Sequence, residues 1–128
     1  MENKWFGIFI GILILAIILV NSTSSVSKPR IINADKDDIT ALLKKKETIV
    51  IDVRSADEYK TGHIEGAINI PYDQIESRAN YNKKSDIIVY CQNGARSHVA
   101  AMLLQNMGFK RVYDMGGISE YDGKLTKD

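Results

Sequence analysis

Four short runs limit this chain most tightly: "TIVIDV" (Thr48 to Val53), "AINIP" (Ala67 to Pro71), "DIIVY" (Asp86 to Tyr90) and "RVYDM" (Arg111 to Met115). Continuous apolar residues, many of them β-branched, suit strands covered on both faces. Helix signals lie between them. Asp35 can cap a helix carrying Ile39, Leu42 and Leu43 at helical spacing. Ser55 and Glu58 make a capping-box pattern that opens "SADEYKTG", and Gly62 stops it. "DQIESRA" reads as a further helix, and a long one follows Cys91, with Val99, Met102, Leu103 and Met107 on its expected buried face and Gly108 at its end. "RII" from Arg30 is a first short strand. Alternating strands and helices predict an α/β domain whose mostly parallel sheet carries helices on both faces. In such sheets, sites form beyond the carboxyl ends of the strands.

Residues 1–27 are of another kind. Trp5 to Val20 is a run of 16 uncharged residues, which as a helix spans about 24 Å against a hydrocarbon core of about 30 Å. Asn21, Ser22 and Thr23 can finish such a helix among headgroups, and Trp5 suits the aromatic belt. A single-pass membrane anchor is expected, followed by the Ser-rich tether "NSTSSVSKP" and a folded domain over residues 28–128. The rival is a cleaved signal peptide, which would leave a secreted or periplasmic domain. Lys28, Arg30 and Lys36 lean the uncleaved form toward a cytoplasm-facing domain. The 17 Lys and Arg against 16 Asp and Glu leave no strong field for nucleic acid, so no such partner is expected.

Cys91 is the only cysteine, which rules out an intramolecular disulfide and a multi-cysteine metal site. It stands where the strand "DIIVY" meets the long helix. The segment Gln92, Asn93, Gly94, Ala95 lets the chain curl so that successive N–H groups point at the sulfur. The helix N-terminus and Arg96 add positive charge, and each favours a thiolate, hence a nucleophile. The bland alternative is a buried structural cysteine. Tyrosine-phosphatase-like enzymes place the arginine one position later than Arg96, where this chain has Ser97, so the cradle here suits a group smaller than phosphate, such as the outer sulfur of a persulfide.

"CQNGARS" (Cys91 to Ser97) resembles the active-site loop of the rhodanese family of sulfurtransferases. "IDVRSADEYKTGHIEGAINIP" (Ile51 to Pro71) resembles its upstream signature, and "MGFKRVYDMGGISEYDG" (Met107 to Gly123) its C-terminal one. The resemblance runs from about Arg30 to Gly123 and implies a rhodanese-like domain with a five-stranded, mostly parallel sheet. It also implies transfer of a sulfane sulfur from a donor such as thiosulfate to Cys91, and then to cyanide, a thiol or a protein acceptor, with no cofactor. A non-catalytic or persulfide-sensing binding module is the alternative. Many relatives that use thiosulfate well carry a basic residue between the Cys and the Gly. Gln92 and Asn93 are neutral, which predicts poor use of thiosulfate. Tyr121 stands where many relatives have Trp.

Asp52 and Arg54 read as a structural ion pair at the strand–helix turn, with support of the cysteine loop or anion binding as the alternative. His63 reads as packing rather than a general base. His98 lies early on the long helix. One cysteine and two scattered histidines lack zinc-ligand spacing, so no metal is expected. Gly116 and Gly117 read as a turn.

Overall fold

The computed structural model describes Ile8 and residues 30–128. Apart from Ile8, the expected anchor lies outside the described residues, and no helix among those described is long and apolar enough to cross a membrane. The strands are β1 (Arg30–Asn33), β2 (Ile49–Asp52), β3 (His63–Ile64), β4 (Ile68–Asn69), β5 (Asp86–Cys91), β6 (Arg111–Gly117) and β7 (Leu125–Thr126). The helices are α1 (Lys36–Leu43), α2 (Ala56–Thr61), α3 (Ile75–Arg78) and α4 (Ala95–Asn106), with 3-10 turns at Tyr72–Gln74 and Ile118–Glu120. Five strands form one sheet in the order β1-β6-β5-β2-β4, every pairing parallel. This is the expected α/β architecture. A two-residue antiparallel pairing of β3 with β7, which the sequence did not suggest, closes the C-terminal end.

The side chains of β5 show why its apolar run is continuous. Ile87, Val89 and Cys91 enter one core cluster with Ala100, Ala101 and Leu104 of α4 and Ile75 of α3. Ile88 and Tyr90 enter the other, with Ile39 and Leu42 of α1. Both faces of the strand are therefore dry, as its β-branched composition requires.

Helix α4 departs from expectation. Its buried stripe is Ser97, Ala100, Ala101 and Leu104, while Val99 and Met102 stay 42% and 47% exposed and Leu103 and Met107 only border the core. The buried set still has helical spacing, but it consists mostly of small residues. Small side chains let the helix axis lie close to the sheet, and a hydrophobicity pattern scores them too low to choose that face.

The glycine pair also differs: Gly116 and Gly117 end β6 rather than forming a separate turn. Between Val89 and Tyr90 the pairing skips one residue of β6, so Tyr90 pairs with Gly116 and Cys91 with Gly117. The extra residue, Met115, drops into the α1-side core. Gly116 takes φ of 85°, which the bulge needs and which only glycine adopts freely.

Candidate active site

Cys91, the last residue of β5, has no exposed surface. The chain turns sharply after it because Gly94 takes φ of 95° and caps α4 in the left-handed conformation. That turn aims the Gly94 N–H at the sulfur, 3.0 Å away. Gly117 lies directly against the loop, and a Cβ there would stand 2.8 Å from the Gln92 carbonyl oxygen. The bulge and the glycine pair thus let the loop lie flat on the end of β6.

Burial pushes the Cys91 thiol up, but the Ser97 hydroxyl, together with the amides of Ser97, Asn93 and Gly94, outweighs it and leaves the thiol below its ordinary value. Neutral donors therefore do most of the work of favouring the thiolate. Ser97 is fully buried, and its Oγ also donates to the Gly94 carbonyl at 3.0 Å. Its single hydroxyl hydrogen thus has two acceptors within reach.

Arg96 takes a different partner from the one its position in the loop suggested. Its guanidinium engages Glu58 through both terminal nitrogens, Nη1 to Oε2 at 2.7 Å and Nη2 to Oε1 at 2.9 Å. The same carboxylate closes the N-terminal capping box of α2, where Oε2 accepts from the backbone N–H and the hydroxyl of Ser55, each at 2.9 Å. The hydrogen bonds from Arg96, with those from Ser55, hold Glu58 well below the usual carboxylate range, at about 2. Glu58 belongs to the site and was visible in the sequence only as a local cap. Nothing in the sequence signals its pairing with a residue 38 positions away.

Asp52 and Arg54 form a buried pair at the carboxyl end of β2. Arg54 Nε lies 3.1 Å from both carboxylate oxygens and Nη2 lies 2.7 Å from Oδ2. The remaining donors reach outward, Nη2 to the Gly62 carbonyl at 2.6 Å and Nη1 to Gln92 Oε1 at 3.3 Å. The pair therefore ties the strand–helix turn to the cysteine loop as well as to itself. Asn69 adds to this frame by donating to the carbonyls of Asp52 and Arg54, each at 3.0 Å.

The structure thus brings Cys91, Gln92, Asn93, Gly94, Ala95, Arg96 and Ser97 into one curl, with Asp52 and Arg54 beside it. His63 stands apart from the curl. It is buried, its Nδ1 lies 2.8 Å from the Tyr59 carbonyl, and its ring stacks on Tyr59 at 3.6 Å. His98 points to Asp114, 3.5 Å away. Among the described residues no group of three His, Cys, Asp or Glu could hold a metal ion. A cavity of about 560 Å³ lies between α1 and the segment after β6, lined by Ile39, Leu43, Met115 and Tyr121 among others, and no loop residue borders it. The cysteine curl lies elsewhere, at the strand ends.

Comparison with known proteins agrees with this fold. The model of the Rhodanese-like domain matches residues 35–124. YrkF of Bacillus subtilis, whose name marks it as a candidate sulfur carrier protein, is 38% identical over 77 residues, covering 59% of this chain and 42% of that protein. The tRNA uridine(34) hydroxylase of Buchnera aphidicola is 35% identical over 92 residues, 66% of this chain and 30% of that protein. The chain thus spans less than half the length of these two relatives. A rhodanese from E. coli, solved with anions, superposes with a TM-score of 0.60 at 33% identity, covering 63% of this chain and 99% of that one. With its parallel sheet, its cysteine curl at the end of β5 and a family match over most of its length, this chain belongs to the rhodanese-like domain family.

Proposed function

We propose that the domain is a sulfurtransferase that carries sulfur as a persulfide on Cys91. The Cys91 thiolate attacks the outer sulfur of a sulfane donor. A new S–S bond forms on Cys91, and the donor's S–S bond breaks with its electron pair leaving on the donor remnant. A thiol, cyanide or a protein acceptor then takes the outer sulfur and returns Cys91 to thiolate. The exchange needs no cofactor, because no net electrons enter or leave. The amides of Gln92 to Ser97 and the Ser97 hydroxyl would hold the negative sulfur in both states, while the Asp52–Arg54 frame keeps the curl in place. The observation that carries this is the buried Cys91 within hydrogen-bonding reach of Gly94 and Ser97, its thiol held low.

Mass spectrometry of the purified protein after treatment with thiosulfate or cysteine hydropersulfide tests it. One added sulfur is expected at Cys91, removable by cyanide and absent in Cys91→Ser, with no meaningful turnover of aryl phosphates. Absence of the adduct with every donor tried would favour a binding module. We further propose that Trp5 to Val20 holds the domain at a membrane with the domain facing the cytoplasm. The chain should then stay with membranes through alkaline wash, and release by that wash would refute the anchor.

A further inference from the structure

Among the described residues, every positive charge hydrogen-bonded into the active-site shell already has a carboxylate partner. Arg54 is paired with Asp52, and Arg96 with Glu58. The loop positions between Cys91 and Gly94 are the neutral, exposed Gln92 and Asn93. Two cations and two anions cancel, so a thiolate at Cys91 leaves the shell with one net negative charge. Amide and hydroxyl dipoles solvate that charge without reversing it.

From this charge balance we propose that Glu58 is a specificity-determining residue, which by neutralising Arg96 selects organic hydropersulfides over thiosulfate as sulfur donors. The proposal rests on the sulfurtransferase reading and names the donor class for it. With a hydropersulfide, Cys91–S⁻ and R–S–SH give a Cys91 persulfide and R–S⁻: the new bond joins Sγ to the outer sulfur, and the old bond's electron pair leaves on R–S⁻, which shares the one proton with the persulfide. With thiosulfate the same step expels a sulfite dianion. That leaving group develops a second negative charge beside a shell with no cation to spare, so this path is slowed relative to the first.

Glu58 is a positioning and charge-setting residue, and Glu58→Gln isolates the charge. Glutamine preserves the capping box, since its amide oxygen can accept the Ser55 N–H, but it leaves the Arg96 charge without an anionic partner. The experiment follows formation of the Cys91 persulfide in the full chain with thiosulfate and with cysteine hydropersulfide, and compares the ratio of the two rates in parent and variant. Intrinsic donor reactivity cancels in that comparison. The thiosulfate-to-hydropersulfide ratio should rise about tenfold, equivalent to about 1.4 kcal/mol. The variant's thiosulfate rate should also fall more steeply with added salt than the parent's, because an unpaired cation attracts a dianion through a screened field. If both rates fall together with an unchanged ratio, Glu58 merely holds the loop and the proposal is overturned. Asn93→Lys adds a cation at an exposed position without touching the Glu58–Arg96 pair, and must move the ratio in the same direction even if Glu58→Gln folds poorly. No adduct from either donor in the parent protein would remove the sulfurtransferase reading itself, a result distinct from an adduct whose donor preference ignores charge.

Discussion

Two arginine–carboxylate pairs flank the cysteine curl, and each arginine meets its partner through two nitrogens. The Arg54 and Asp52 side chains are 3% and 0% exposed, whereas those of Arg96 and Glu58 are 30% and 35% exposed. In the buried pair Nε, Nη1 and Nη2 of Arg54 all have partners, spread over Asp52, Gln92 and the Gly62 carbonyl. Such a group can move only by stranding a charge in a dry interior. The outer pair keeps water as an alternative partner, and its net contribution is correspondingly small. The same pair of residue types therefore serves as a fixed frame on one side of the loop and as an adjustable charge on the other.

The comparison breaks most visibly through Asp52→Asn. Losing the carboxylate charge while Arg54 stays buried should cost about 3–5 kcal/mol, read from urea denaturation. A loss below about 1 kcal/mol would show that the inner pair is as dispensable as a surface one. The matching change in the outer pair, Glu58→Gln, should cost about 1 kcal/mol or less in the same measurement. A larger loss would make both pairs structural.

The smallest expected effect lies in the acid range. Glu58 titrates at about 2 in the folded chain, against an ordinary value of 4.5. A lowered folded value means that its charge stabilises the fold above about pH 4.5 and that this contribution fades as pH falls toward about 2. Partial exposure to solvent keeps the contribution small. Between about pH 5 and pH 3 the urea midpoint of Glu58→Gln should therefore fall less than that of the parent. Parallel curves would place the acid sensitivity on other carboxylates.

The alternation of strands and helices and the position of Cys91 at a strand end were legible because they follow from runs of one residue class. "DIIVY" is apolar throughout because each of its faces meets a core, and Gly94 is placed by the turn that follows it. The face of α4 was not legible. Ala100, Ala101 and Ser97 are buried for their small size and, in Ser97, for a hydroxyl that serves the sulfur, and neither property registers as hydrophobic periodicity. Glu58 was legible as a cap and invisible as a partner of Arg96, since local pattern carries no information about which distant side chain a carboxylate meets. Gly116 and Gly117 were misplaced for a related reason: a bulge is defined by the partner strand, and only the pairing with Tyr90 and Cys91 reveals it.

The hydroxyl hydrogen of Ser97 bears on how the loop can respond to charge on the sulfur. It can rest on the Gly94 carbonyl or swing to the sulfur, and the Gly94 carbonyl also accepts the His98 N–H at 3.2 Å. When the hydrogen turns to the sulfur, that carbonyl keeps a partner, and no backbone group is left bare. Rotation about one bond is then enough to let the hydroxyl hydrogen follow the negative sulfur, and on the sulfurtransferase reading proposed above the switch breaks no backbone hydrogen bond.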